Sequence, residues 1–169
     1  MTRYPRLRMR QTLREQDTSS TWQARAIQQS DASALGALML AAYRGTVDDE
    51  GESEADATAE IERTLAGDYG PWLEDCSFAV HEGSRIAGAS LVTVWEGDPF
   101  LTYVVVHPEM KRRGLGTFLV TTSGNALVTA GYSQLDLFVT EGNEPAVNLY
   151  RKLGFRVVDR IKAQDEHPP

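Results

Sequence analysis

The stretch that decides the fold is "VVVHPEMKRRGLGTFLV", which runs from Val104 to Val120. Its β-branched run predicts a strand that stops at His107-Pro108, and an apolar helical pattern follows. A helix N-terminus offers unpaired backbone N–H groups and partial positive charge. Three cations and two glycines at this turn therefore predict a site for a phosphate or pyrophosphate. These residues are Lys111, Arg112, Arg113, Gly114 and Gly116.

The spacing within this turn separates it from other phosphate-binding loops. The chain has no G-x-x-x-x-G-K-[ST] pattern and no G-x-G-x-x-G pattern after an N-terminal strand. The hexapeptide alone is equally compatible with a glycine-rich turn that carries solvated cations. The valine strand before it and the helix after it favour the anion site.

The composition of the whole chain indicates one globular domain. It has 169 residues, 41% hydrophobic and 24% charged, with a net charge of -7. This acidic balance argues against a general nucleic-acid-binding protein. No apolar run approaches 18 residues and no secretory pattern opens the chain, so we expect a cytoplasmic location and no membrane partner. Cys76 is the single cysteine, which predicts a buried, inert thiol rather than a disulfide.

The N-terminal residues are rich in arginine. The alternation of Leu7 and Met9 predicts a strand, and we expect residues 6–13 to form a hairpin with residues 21–27. That strand would be a solvated sheet edge protected by its charges, and the alternative is a local basic arm for nucleic acid. We divide the chain into an Arg-rich extension with a possible extra strand, a main domain and a tail, at residues 1–20, 21–161 and 162–169.

The remaining pattern predicts an α/β fold with helices on both faces of a sheet. Helices are expected from Ser30 or Asp31 to near Gly45, around Ala57 to Gly67, over 115–129 and over 143–154. Strands are expected over 76–81, 85–95, 100–106, 133–140 and 155–161. The first of these strands should form an antiparallel meander, and residues 100–140 should connect parallel neighbours.

Two motifs in this order resemble the GNAT superfamily, the acetyl-CoA-dependent N-acetyltransferases. The opening stretch resembles that family's acetyl-CoA-binding segment, with Lys111 where the family has Arg or Gln. "TEGNEPAVNLYRKLGFRVV", Thr140 to Val158, resembles its late segment. The resemblance implies a GNAT-like mixed, mostly antiparallel central sheet with helices on both faces. It also implies a splayed strand pair that holds CoA.

The resemblance implies roles for individual residues. Backbone groups of one strand would pair with the pantetheine arm of acetyl-CoA, and Asn143 would contact that arm from the opposite wall. Amides from Arg112 to Thr117 would hold the pyrophosphate, and the Lys111 and Arg112 side chains could meet the phosphates. The expected cofactor-binding residues are Val104, Val105, Val106, Lys111, Arg112, Arg113, Gly114, Leu115, Gly116, Thr117 and Asn143.

The implied reaction moves an acetyl group directly to a primary amine of a small molecule or protein. Tyr150 matches the family's general acid, although a packed helix tyrosine would look the same. The strand "FLTYVVV" has no acid, so Glu96 in the preceding turn is the candidate general base. Tyr103 and His107 are the alternatives. No metal is predicted.

Acceptor specificity should come from loops. The acids of the segment Tyr43 to Glu54 could attract a cationic amine, or the segment could be a solvated loop. Two rival functions stay open: an acyltransferase for longer acyl-CoA, and a non-catalytic acyl-CoA-binding module. A homodimer is possible.

Overall fold

The computed structural model describes residues 4–162, so the predicted tail at 162–169 lies, apart from Lys162, outside the described residues. The strands are β1 Arg6–Thr12, β2 Ala24–Ala26, β3 Phe78–Glu82, β4 Arg85–Trp95, β5 Asp98–Val106, β6 Gln134–Thr140 and β7 Arg156–Ile161. The helices are α1 Ala32–Tyr43, α2 Glu54–Ala66, α3 Leu115–Thr129 and α4 Glu144–Lys152.

The described strands form one mixed sheet in the order β2-β3-β4-β5-β6-β1-β7. Strands β2 to β5 are an antiparallel meander, and β1 is antiparallel to both of its neighbours. The pairing of β5 with β6 is parallel. The predicted α/β fold with a mostly antiparallel sheet is confirmed.

The N-terminal strand differs from the prediction. The expected hairpin of residues 6–13 with residues 21–27 is wrong, because β1 pairs with β6 and β7 while β2 pairs with β3. The expected solvated edge is wrong for the same reason, since β1 lies inside the sheet. Its period-2 pattern puts Leu7 and Met9 into the core, at 8% and 0% exposure.

Helices cover both faces of the sheet, as predicted. On one face α1 and α2 bury apolar residues such as Leu35 and Ile61 against Leu91 and neighbouring strand residues. On the other face α3 and α4 pack on β1 and β6. Helix α2 begins at Ser53, whose hydroxyl accepts the N–H of Asp56 at 3.1 Å, and this cap sets where the preceding loop ends.

Cys76 is buried at 3% exposure, and burial raises the pKa of its thiol, as expected for an inert cysteine. Within residues 4–162, none of the helices combines the length and apolar character that a bilayer crossing requires.

Candidate active site

A gap opens between β5 and β6. Within the described residues their parallel pairing consists of one pair, Phe100 with Asp136. Past that pair β5 continues along β4 alone, and the register shifts so that Thr102 has no counterpart between Leu101 and Tyr103. Such a bulge bends a strand and increases its twist. The predicted splay of the two strands is therefore present.

The backbone of β5 offers hydrogen-bonding groups to this gap. The N–H of His107 donates to the carbonyl of Ala87 in β4 at 2.8 Å. Because successive residues of a strand alternate in direction, Val105 also faces β4. Val104 and Val106 then turn their N–H and C=O groups toward the gap. Of the three valines expected to pair with the pantetheine arm, only Val104 and Val106 therefore point their backbone groups toward the gap.

The turn after β5 leads into the N-terminus of α3. Arg112 and Gly114 both have left-handed backbone, with φ of 64° and 79°, and Gly114 is the N-cap of α3. The first N–H groups of a helix have no partner within it, here those of Leu115, Gly116 and Thr117. Helix α3 thus presents its free amides and positive dipole end beside the gap.

The three cations of this turn have different surroundings. The guanidinium of Arg113 lies 5.3 Å from the ring centre of Trp22 and 3.8 Å from the carboxylate of Glu82. Lys111 and Arg112 are exposed, and within residues 4–162 neither has an ion pair. Two cations thus lie beside the free amides of α3 and can meet an anionic ligand.

The opposite wall of the gap joins β6 to α4 through Asn143. Its side-chain oxygen accepts the N–H of Ala146 at 3.3 Å and so caps α4. Its amide nitrogen donates to Asp48 at 3.1 Å, and the hydroxyl of Thr140 donates to the same carboxylate at 2.6 Å. The loop between α1 and α2 therefore reaches this wall.

Tyr150 projects from α4 and is 9% exposed, with its ring 5.6 Å from that of Phe155. Burial and then the charge of Asp48 raise the pKa of its hydroxyl to about 12. Tyr43 at the end of α1 has a raised pKa as well, from burial and the charges of Asp48 and neighbouring groups. Both phenols are neutral at neutral pH and belong to one group around Asp48.

The candidate bases occupy three different environments. The Glu96 side chain is 59% exposed and lies 3.4 Å from Arg8. The Tyr103 hydroxyl donates to Glu60 of α2 at 3.2 Å, and burial above all raises its pKa. The ring nitrogen Nδ1 of His107 accepts the N–H of Glu109 at 3.2 Å, which caps the turn after β5.

The family model described as the acetyltransferase (GNAT) family matches residues 32–155. The chain belongs to the GNAT acetyltransferase family. Relatives matched over part of the chain are named acetyltransferases.

Relatives and solved structures of the family extend this result. Mycothiol acetyltransferase of Thermobifida fusca is 38% identical over 99 residues, which are 52% of this chain and 31% of that protein. The chain thus spans about a third of that relative. A GCN5-related N-acetyltransferase from Sphaerobacter thermophilus matches 95% of this chain and 50% of its own, at 18% identity and a TM-score of 0.68.

A further match is yncA of Salmonella typhimurium, described with its cofactor acetyl-CoA. It covers 89% of this chain and 98% of its own, at 17% identity and a TM-score of 0.63. At these identities the two structures show the GNAT fold alone.

Three acids near the gap were not predicted as site residues from the sequence. Asp48 belongs to the acidic segment Tyr43 to Glu54, and nothing in that segment tells which carboxylate reaches another element. Glu60 lies beyond that segment and has no local signal of its contact with Tyr103. Asp136 lies at the point where the strands separate, and Arg8 and Arg10 donate to it at 2.7 to 2.9 Å. The alternation of Leu7 and Met9 predicted a strand but not the partner of its arginines.

Proposed function

We propose that this GNAT protein transfers an acetyl group from acetyl-CoA directly to a primary amine, with Tyr150 as the general acid. The observation that carries the proposal is the gap between β5 and β6, which ends at the amides and cations before α3. A pantetheine arm would extend the sheet along Val104 and Val106. The pyrophosphate would lie at the α3 N-terminus.

The chemistry follows from these positions. Nucleophilic attack places negative charge on the thioester oxygen, which a backbone N–H of Val104 or Val106 would stabilise. The departing thiolate needs a proton, and a buried tyrosine that stays protonated at neutral pH can supply it. Tyr150 meets this requirement on the α4 side of the gap.

Glu96 remains the sequence-based candidate for the base. Its carboxylate precedes β5, whereas the valines lie at the end of that strand. Six steps of strand separate Asp98, where β5 begins, from Val104, which corresponds to about 20 Å. Its exposure and its contact with Arg8 give it no burial that would raise its basicity. The structure therefore supports the acid more directly than this base.

The test measures thiol release from acetyl-CoA with a panel of amines: spermidine, kanamycin and a lysine peptide. We expect turnover by the wild-type protein and a loss of about 10²-fold or more in kcat for Tyr150→Phe, with CoA affinity kept. Tyr132→Phe, which changes a half-buried tyrosine just after α3, is the matched control and should keep its activity. Tight CoA binding without turnover of any amine would instead favour a non-catalytic acyl-CoA-binding module.

A further inference from the structure

Most acids in the loop between α1 and α2 shape the loop itself. Asp49 accepts the backbone N–H groups of Gly45 and Gly51 at 2.8 and 3.0 Å. These bonds lower the pKa of its carboxyl, so it stays charged while it holds the turn. Asp56 accepts the N–H of Ser53 at 2.9 Å and completes the α2 cap. Such acids have local structural roles.

Asp48 has a different environment. Its two oxygens accept from Thr140 at 2.6 Å and from Asn143 at 3.1 Å, residues more than 90 positions away in the chain. Both donors are neutral, and within residues 4–162 the carboxylate has no ion pair. A half-buried carboxylate without a counter-ion favours a cationic ligand, because its charge is only partly compensated.

Asp48 lies at one wall of the gap. Thr140 ends β6 and Asn143 begins α4, so both lie on the wall that faces the valines of β5 across the gap. The charge of Asp48 acts on Tyr150, the proposed acid, and on Tyr43. The carboxylate of Asp48 and the phenol of Tyr150 therefore lie on the same side of the gap, close enough for the charge of Asp48 to affect the phenol.

We propose that Asp48 binds the ammonium group of the acceptor and takes its first proton, an inference that rests on the proposed acetyl transfer. The acceptor class is then a primary alkylammonium. After Asp48 passes this proton to water, the nitrogen lone pair forms the C–N bond. The C–S bond breaks with its electrons to sulfur, and Tyr150 protonates the sulfur. The second proton of the nitrogen returns to Tyr150, which restores the site.

The charge of Asp48 acts on the proposed acid, Tyr150. The Asp48 charge is one cause of the raised pKa of Tyr150, after burial. This charge helps to keep the phenol of Tyr150 protonated until the thiolate leaves. The other titratable groups near this pair are Tyr43 from α1 and Glu52 from the loop, whose charge also acts on Tyr43.

The experiment compares Asp48→Asn, Glu96→Gln and Glu50→Gln in the full chain, using the best amine of the panel. Glu50 is an exposed acid of the same loop and serves as the matched control. We expect Asp48→Asn to lower kcat/KM by about 10²-fold near pH 7, with CoA affinity unchanged. The loss should shrink as the pH approaches the pKa of the free amine, about 10 for a lysine side chain, because a neutral amine needs no base.

The outcomes separate this inference from the function on which it rests. An equal loss for Asp48→Asn at all pH values would indicate only a structural role for its contacts and would overturn the inference. Wild-type activity in Asp48→Asn, or the pH-dependent loss in Glu96→Gln instead, would overturn it while the acetyl transfer stands. A wild-type protein that acetylates no amine overturns both.

Discussion

Asp136 is a carboxylate inside the sheet, 1% exposed, with arginines of β1 on two sides. The Arg10 guanidinium donates at 2.7 and 2.9 Å, and Arg8 at 2.8 Å. Burial alone would raise the pKa of Asp136, but hydrogen bonds from Arg10 and Arg8 outweigh it and lower the pKa. This single residue connects β1 to the point where β5 and β6 separate.

The predicted effect of removing this charge is large. Asp136→Asn leaves two partly buried arginines without their anion and should lower the free energy of unfolding by about 3 kcal/mol at pH 7. Because the folded pKa is lower than the unfolded one, this stabilisation is present above the unfolded pKa, about 3.9. It is lost as the pH falls through the folded value. Urea denaturation at pH 7 and in the acid range measures both effects.

The control for this prediction is the neighbouring pair of Arg8 with Glu96, which is exposed and 3.4 Å long. Glu96→Gln should change the free energy of unfolding by less than about 1 kcal/mol, as exposed ion pairs do. Equal losses in the two variants would show that burial of Asp136 adds nothing to its ion pairs. The proposed stabilisation of the fold by the buried ion pairs of Asp136 would then be wrong.

At the scale of elements, α1 and α2 cross at a glycine. A Cβ on Gly36 would lie 2.5 Å from the Thr58 hydroxyl oxygen and 2.7 Å from its Cα. Gly36→Ala should therefore force the two helices apart and lower the free energy of unfolding by about 1–3 kcal/mol, despite the better helix propensity of alanine. Because α1 and α2 flank the loop that carries Asp48, the proposed acetylation should fall as well.

The matched substitution lies in α3. A Cβ on Gly124 would meet Leu13 at 3.6 Å, an ordinary contact distance. Gly124→Ala should be neutral or should raise the free energy of unfolding by up to about 1 kcal/mol. Thermal and urea denaturation of Gly36→Ala and Gly124→Ala compares their free energies of unfolding with that of the wild-type protein. A destabilised Gly124→Ala together with an unchanged Gly36→Ala would reverse the expectation.

Elements whose signals are local in the sequence could be predicted, whereas contacts between distant elements could not. The bounds of α3, residues 115–129, were predicted correctly because its glycines and apolar period are local signals. The phosphate site before α3 rests on the same kind of local signal and stays a prediction. By contrast, the period-2 pattern of β1 specifies its two faces but not its neighbours. Its contact with Asp136 spans 126 residues, and the link between Asp48 and Asn143 spans 95.

For the whole molecule, the interior position of β1 makes residues 6–12 part of the core. Arg8 and Arg10 are bound to Asp136, and the Arg6 guanidinium lies 5.1 Å from the ring centre of Phe138. These contacts argue against a free basic arm for nucleic acid. Removal of residues 1–14 should leave β6 and β7 without their shared neighbour and abolish cooperative unfolding, as circular dichroism during a thermal melt would show.

A circular permutant tests whether the position of β1 in the sheet matters rather than its place in the chain. Ile161 lies opposite Arg6, so the end of β7 is beside the start of β1. A chain that begins at Ser19, runs to Lys162, and continues through Asn-Gly into residues 5–18 joins these ends by a short hairpin. The new termini fall in an exposed loop. We expect a cooperative melt and CoA affinity close to those of the wild-type chain, because every strand keeps its neighbours. A permutant that fails to fold, beside a truncated chain that folds, would show that β1 is dispensable and that its burial does not stabilise the sheet.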